Sequence, residues 1–495
     1  MLWNSTAEEV VRRVLGGAVA NDWSSKCDKW KALHDFLQDK HKDRTYESAK
    51  YSHPKVSERW NEGDGSGFLY LPLVRMYAER LSVAFDQPPT THLRRRGSTE
   101  RLDEKDPQVQ QWRKDERDVQ FAATMQQCEE MTTALGQSAI YVSWKGDRIR
   151  WKVYAPYELK VVKDTVDPDD FDRAAAIGLE IRTPDRGLEL RQWLVWHRIQ
   201  TSPVDVEWGH GLYDEGGRLL GYPLFKGPAD GSRPGLSGYG RHPIILWQWR
   251  QPPNGELFNE PDEALLQLQR KVNVHLTDSS QGLVNQVHAQ PLLWGNPLGV
   301  QEGTLAFGPD VPLQFPGNQP GRDGDLQYRT PQLNIGELLN TIDRWLMNFA
   351  VTRGLPPDTF LGNSSTRNLG AKQQETAELD RLRKKRYPII VDTMRRQFET
   401  HKAVGNYWAQ FPVAKRIAYD EDVELEVELQ PIARVEDRQS KAQADELAIA
   451  RGQTSTVQLV QQETGVTRAE AQAAVARNLA DEGASKPPEP VAPAE

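Results

Sequence analysis

The chain has 495 residues and a formal net charge of −8, with 38% hydrophobic and 27% charged residues. It is long enough for several domains and a large buried core. The acidic balance argues against a high-affinity duplex binder, because lysine and arginine supply most nonspecific affinity for phosphates. Its two cysteines, Cys27 and Cys128, exclude a disulfide framework and a cysteine-rich zinc site.

Several other classes of protein are disfavoured by what the sequence lacks. The longest apolar runs, such as residues 389–391, are far too short to span a membrane. Residues 2–17 are interrupted by charged side chains, so we expect no secretory signal and a cytosolic site of synthesis. A Walker A loop needs a Gly-Lys pair and none occurs, which excludes a standard packaging ATPase. No catalytic, cofactor or metal signature was found, so we expect a protein that is not an enzyme.

Residues 1–257 mix helical and strand patterns with loops rich in glycine and proline. An apolar segment at 68–74 precedes Pro88-Pro89, and a helical stretch from Glu130 ends at a glycine before two strand-like runs. The acidic stretch 166–172 favours a turn over a cation site. His34 and His41 are expected to be incidental on a helix face, and Arg94 to Arg96 are expected in a solvated loop.

Eight tryptophans fall between Trp144 and Trp294, and tryptophan-lined clefts with paired carboxylates occur in glycosidases. However, Trp247 and Trp249 alternate around Gln248 as strand residues do, and no carboxylate pair stands out. Packing or interface use is therefore favoured over a sugar site.

Two predicted helices flank a segment without helical periodicity. The first begins near Asn259 to Asp262 and continues to about residue 290. Residues 291–331 carry many glycines and predict short strands and turns. The second helix, residues 332–353, has a stripe of apolar residues expected to pack in a stem: Leu338, Ile342, Trp345, Leu346 and Phe349.

Gly354 and Pro356-Pro357 stop this helix and open a polar loop. A long helix then runs from about Leu369 to Val404, with Gly405-Asn406 as its stop and an expected kink at Pro388. Five basic residues of this helix are expected at a solvated or intersubunit surface in preference to DNA contact: Arg381, Arg383, Lys384, Lys385 and Arg386.

The last segment opens with alternating Val423 to Leu429, which predict a half-buried strand with a solvated or arginine-paired acidic face. Two alanine- and glutamine-rich helical stretches follow. Residues 485–495 lack core-forming side chains and are expected to be disordered.

This order of elements resembles the portal proteins of tailed bacteriophages. The resemblance covers most of residues 60–484 and implies an α+β subunit with an α/β wing, a helical stem hairpin, a β-rich clip, a kinked long helix and a helical crown. The implied domains are a wing at 1–257, stem helices at 258–353 with the clip at about 291–331, a tunnel loop at 354–372, the kinked helix and late wing strand at 373–434, the crown at 435–484 and the tail at 485–495.

The resemblance implies a ring, by analogy a dodecamer, at the unique vertex of the capsid. Such a ring passes double-stranded DNA without sequence specificity during packaging and ejection. It binds the terminase large subunit, a head-completion or adaptor protein, and the major capsid and scaffold proteins. Implied localisation is the virion, with assembly in the host cytoplasm. The residues implied to face the channel are Asn363, Ser364, Ser365, Thr366, Arg367 and Lys372. Alternatives are another virion connector without a translocation role or, more distantly, a tryptophan-rich hydrolase.

Overall fold

The structure of the chain is a computed structural model. It describes residues 14–15, 21–40, 69–85, 89–185, 188–200, 206–221, 237–253, 256–287, 290–294, 313–315, 326–329, 334–357, 359–361, 369–411, 415–429, 457, 472–473 and 475. The chain divides into two compact units, one comprising residues 1–363 with 378–432 and the other residues 364–377 with 433–495.

Helices and mostly antiparallel strands are interleaved through the first unit, which confirms the α+β class. The elements of its N-terminal part are α1 Asn21–Leu37, α2 Leu73–Leu81, β1 Thr90–Arg95, α3 Pro107–Asp118, α4 Phe121–Leu135, β2 Gln137–Lys145, β3 Arg148–Tyr154, β4 Leu159–Val162, β5 Ala176–Asp185, β6 Leu188–Gln200, β7 Val206–Asp214, β8 Leu219–Gly221 and β9 Ile244–Gln248. The predicted order of a helix, a glycine and two strands is confirmed, since Gly136, with φ +81°, lies between α4 and β2, and β3 follows.

Two antiparallel sheets carry most of these strands. One has the order β3-β2-β9, and the other runs β4-β5-β6-β7-β8. Tryptophans from both sheets fill the core, and Trp196 and Trp247 are completely buried. For these two residues, packing in the core explains the large ring.

The middle of the chain is a helix, a small sheet and a second helix. α5 Glu263–Val287 is followed by β10 Gln290–Trp294, β11 Leu313–Phe315 and β12 Leu326–Arg329, which form a three-stranded sheet in the order β11-β10-β12. α6 Ile335–Thr352 then packs against α5. The predicted pattern of helix, short strands and helix is confirmed.

The C-terminal part of the first unit contains most of one long helix and one strand. α7 Leu369–Ala409 contains Pro388, and β13 Val423–Glu428 pairs antiparallel with β1. The kink expected at Pro388 stays a prediction. Of the predicted crown helices only residues 457, 472–473 and 475 are described, each in helical conformation, and the predicted disordered tail lies outside the described residues.

Arg94 and Arg95 lie in β1, so the expectation of a solvated loop was wrong for these two residues, whereas Arg96 lies in the turn after β1 and is exposed. β1 pairs with β13 in a register that places Arg94 opposite Glu424. Arg96 donates to Glu424 over 2.7 Å, and Arg101 donates to Glu426 over 2.9 Å. The acidic face of β13 is therefore paired with arginines, as one of the two predicted alternatives required.

The helix stop predicted at Gly405-Asn406 was also wrong, because α7 continues to Ala409. A Cβ on Gly405 would lie 2.6 Å from Nη2 of Arg416. Asn406 accepts a hydrogen bond from the backbone N–H of Tyr419 over 2.8 Å. Gly405 leaves room for Arg416 and Asn406 binds Tyr419, so both residues allow residues 416–419 to pack closely against α7. Neither residue ends the helix.

Candidate functional site

The end of α6 is fixed by a glycine C-cap. Gly354 has φ +71°, a conformation that glycine adopts without a Cβ penalty. The N–H of Gly354 bonds the carbonyl of Val351, and the N–H of Leu355 bonds the carbonyl of Ala350, both over 3.0 Å. This pair of bonds is the Schellman motif, which satisfies carbonyls that a helix end leaves open.

An ion pair joins this cap to the beginning of α5. The guanidinium of Arg353 lies 2.5 Å from a carboxylate oxygen of Asp262. Asp262 also accepts a hydrogen bond from the N–H of Leu265 over 3.1 Å and so caps α5. The beginning of α5 therefore lies next to the end of α6, so the two helices form an antiparallel hairpin.

The predicted stem stripe lies on α6. Ile342 and Phe349 are buried, whereas Leu338 and Trp345 are half-buried. The ring of Trp345 lies 5.0 Å from the ring of His275 on α5. Part of this stripe thus packs inside the hairpin of a single subunit.

The polar loop predicted to face a channel follows the capped end of α6. Thr359 bonds the carbonyl of Pro356 through its hydroxyl over 2.7 Å, and Phe360 is buried against Phe349. Asn363, Ser364, Ser365, Thr366 and Arg367 lie outside the described residues. Lys372 lies in the first turn of α7, and its side chain is likewise outside the described residues.

Beyond the loop, two arginines anchor α7 in the first unit. Arg386 donates to the carbonyl of Leu81 over 2.9 Å, and Arg383 donates to the carbonyl of Ala84 over 3.2 Å. Both are buried, so the expected solvated or intersubunit position was wrong for these two residues. They bind the last carbonyl groups of α2 and the turn after it, where the helix dipole favours positive charge.

Glu129 of α4 completes this anchor. Its carboxylate accepts hydrogen bonds from the N–H groups of Ala84 over 3.0 Å and Phe85 over 2.9 Å, and it lies 3.7 Å from Arg386. Burial raises the pKa of Glu129 to about 7, against the backbone donors and the charge of Arg386, which lower it. The guanidinium of Arg386 also stacks over Trp249 at 4.5 Å.

A second anchor lies about four turns beyond Arg386 on α7, around the buried carboxylate of Asp115 on α3. Arg416 donates to both oxygens of this carboxylate, over 3.0 Å and 2.6 Å. Three further donors reach it: Gln111 over 2.9 Å, Tyr419 over 2.8 Å and His401 of α7 over 2.8 Å. Five donors therefore satisfy this buried carboxylate inside the core.

The protonation of this network follows from its geometry. Trp151 donates its indole N–H to Nδ1 of His401 over 3.3 Å, so Nδ1 is an acceptor and the proton lies on Nε2, facing Asp115. Burial lowers the pKa of His401, in agreement with a neutral ring. Burial would raise the pKa of Asp115, but the hydrogen bonds from His401 and Arg416 and the positive charge of Arg416 hold that pKa well below its usual range.

These anchors were missed because their partners are far apart in sequence. A local signal did exist, since Arg386 occupies the apolar stripe of α7 four residues after Leu382 and four before Ile390. Asp115 similarly follows Trp112 by three residues on a buried face. A charged residue at such a position requires a buried partner.

Other candidate sites considered from the sequence have structural roles. His34 bonds Tyr157 and Gln38 in the packing of α1, and its companion His41 lies outside the described residues. In the acidic stretch 166–172, Asp167 and Asp170 contact Arg173. Within the described ranges no group of three or more histidine, cysteine or acidic side chains is placed to hold a metal. No helix in the described part of the chain has the length and apolar character needed to cross a membrane.

No family model and no curated protein sequence matches the chain. Many chains in solved structures match it, and two of these come from gene transfer agent particles. The neck of an empty gene transfer agent particle, computed with C6 symmetry, is 12% identical over 80% of this chain and 89% of its own, with a TM-score of 0.35. The virion of a native gene transfer agent particle is 11% identical over 81% of this chain and 91% of its own, also with a TM-score of 0.35. With TM-scores below 0.5, these likenesses carry no weight for the function.

Proposed function

We propose that the chain is the portal subunit of a tailed-phage capsid, and that copies of it form a ring through which double-stranded DNA is packaged and ejected. The observation that carries this proposal is the order of elements along the chain: α5, the small sheet, α6, the glycine cap, the polar loop and α7. A hairpin closed by Arg353 and Asp262 and a helix anchored by Arg383 and Arg386 hold the two ends of the loop segment. The segment between these anchors can therefore act on a passing duplex while its supports stay fixed.

The loop chemistry suits a conduit. Asn363, Ser364, Ser365 and Thr366 offer neutral hydrogen bonds, which release a phosphate readily, and Arg367 and Lys372 add charge at a few points only. A net negative chain avoids the tight phosphate neutralisation that would stall the duplex. We propose that this subunit is not an enzyme. A separate terminase then supplies the energy for packaging.

Assembly into a ring would cover apolar surface that the single chain exposes on its stem. Leu283 on α5 is 53% exposed, and Leu339 and Val351 on α6 are 43% and 59% exposed. Subunits packed side by side around a closed ring can bury such residues at a repeated interface. By the same proposal, the small sheet β11-β10-β12 is the clip that binds terminase, while the adaptor, capsid and scaffold proteins bind other faces.

The rival function is a connector that forms a ring but takes no part in translocation. A pull-down between this chain and the cognate terminase large subunit separates the two. Portal function requires terminase capture that is lost when residues 291–331 are replaced by a short Gly-Ser linker. Replacement of residues 186–187, which connect β5 to β6, by a Gly-Ser linker should leave capture intact. Rings that capture no terminase would support the connector and contradict the portal.

A further inference from the structure

Four arginines line one cavity of about 230 Å³ beside α7. Arg173 follows the acidic turn, Arg198 lies on β6, Arg241 precedes β9 and Arg396 lies on α7. Asp172 is the acidic residue that lines the cavity with them. Positive groups from four separate segments therefore face one small space.

Three of the four arginines form long ion pairs with aspartates that lie outside the cavity. Arg198 lies 3.4 Å from Asp164, Arg173 lies 3.4 Å from Asp167, and Arg396 lies 3.2 Å from Asp392. These distances exceed the 2.7–2.9 Å of strong charge-assisted bonds. Asp167 and Asp392 line an adjacent cavity of about 590 Å³ and do not line the cavity of the four arginines.

Arg241 differs from the other three. Its guanidinium donates to the hydroxyl of Thr400 on α7 over 3.4 Å, and within the described ranges no carboxylate lies within ion-pair distance of it. The neighbouring His242 contributes no charge, because burial and the charge of Arg241 lower its pKa to about 3. The Nδ1 atom of His242 accepts from the N–H of Ile244 over 3.4 Å, which leaves its Nε2 as the protonated nitrogen, 3.7 Å from Asp172.

We propose that this cavity binds a phosphate-type oxyanion through Arg173, Arg198, Arg241 and Arg396. A guanidinium presents five N–H donors and accepts nothing, so it suits the oxygens of an anion. A tetrahedral oxyanion offers acceptor oxygens in several directions and can meet donors from four segments, whereas a carboxylate offers two oxygens in one plane. Asp164, Asp167 and Asp392 hold three of the guanidiniums from outside the cavity, and Asp172 is the acidic residue of its lining. This inference does not depend on ring formation or on the portal function.

The experiment measures the thermal midpoint of the full chain in sodium phosphate, sodium acetate and sodium chloride at equal ionic strength. A ligand that binds the folded state raises the midpoint as its concentration increases. We expect phosphate alone to do so, and we expect Arg241→Gln to weaken the apparent affinity about tenfold or more, the effect of losing a hydrogen bond to a charged group. The control Arg148→Gln replaces an exposed arginine on β3 and should retain the wild-type response.

The source of the anion is distinguished by a second titration. If a short DNA duplex displaces phosphate from the wild type and not from Arg241→Gln, the site takes a backbone phosphate; if it displaces none, the site takes a free anion. Either result supports the site. Equal shifts in phosphate and acetate, or a full phosphate shift in Arg241→Gln, would overturn it. Should Arg241→Gln fail to fold, Arg396→Gln tests the same cavity, because that side chain is 46% exposed and can be replaced at little cost.

Discussion

The guanidinium of Arg416 and the carboxylate of Asp115 form a two-bond ion pair with side chains only 3% and 2% exposed. The same carboxylate receives His401 of α7, so one buried acid on α3 ties the long helix to the segment before β13. This pair lies at the far end of α7 from the polar loop.

Replacing Asp115 with Asn should destabilise the first unit by about 3–5 kcal/mol, because the change leaves Arg416 buried without its counter-charge. Chemical denaturation of the purified chain measures this loss. Asp343→Asn on the exposed face of α6 is the matched control and should change the free energy of unfolding little. An equal effect from the two substitutions would show that the network contributes no stability.

The same carboxylate predicts the direction of a pH effect. Its folded pKa lies below the unfolded value near 3.9, so its contribution is present above about pH 4 and is lost as the pH falls further through the folded pKa. The stability difference between wild type and Asp115→Asn should therefore shrink on acidification below about pH 4. A difference that stays constant down to pH 2 would contradict the lowered pKa.

Gly405 should not tolerate a methyl group. A Cβ there would lie 2.6 Å from Nη2 of Arg416, so Gly405→Ala should cost about 1–3 kcal/mol through displacement of that guanidinium. Gly336→Ala on α6 is the control, since its nearest neighbour would be 3.7 Å away. There the loss of backbone entropy in the unfolded chain should raise stability by about 0.5–1 kcal/mol. Thermal midpoints that move in the same direction for both variants would refute the close contact.

The arginine-paired face of β13 predicts a charge-swap rescue. Arg101→Glu should lower the thermal midpoint slightly by placing acid beside Glu426 and Glu428, and Glu426→Arg added to it should restore most of the loss. The hydrogen bond from Arg101 lowers the pKa of Glu426, in agreement with a direct pairing. High salt should reduce the effect of Arg101→Glu. If the double variant is no more stable than Arg101→Glu alone, the two side chains are not coupled.

The helices, the small middle sheet and β13 were predictable because their signals are local. The apolar residues from Leu338 to Phe349 recur at helical spacing, and those from Val423 to Leu429 alternate with polar residues as in a strand. Each spacing places the apolar residues on one face of the element. β1 was not predictable, since Thr90 to Arg95 has one large apolar residue, Leu93, and its pairing is supplied by β13 more than three hundred residues later. The buried role of Arg386 depends on Glu129 and Leu81, which no local pattern brings together.

Arg367→Glu should leave assembly unchanged and slow or abort DNA packaging. In a ring this change places like charge against the duplex in every subunit, and symmetry multiplies the repulsion. Particles assembled with the variant are assayed for incorporation of the subunit and for the length of packaged DNA. Arg148→Glu, an exposed change on β3, is the control. If Arg367→Glu particles fill with DNA at the wild-type rate, Arg367 does not contact the DNA in the channel.

The central claim, that copies of this chain form a ring around a conduit, is tested most directly by imaging the purified full-length protein with electron microscopy and measuring the particle mass. The account predicts closed rings with an axial hole wide enough for duplex DNA and a mass that is a whole-number multiple of 56.2 kDa, twelve by the portal resemblance. Monomers alone at all concentrations tested, or closed assemblies with no axial opening, would contradict it.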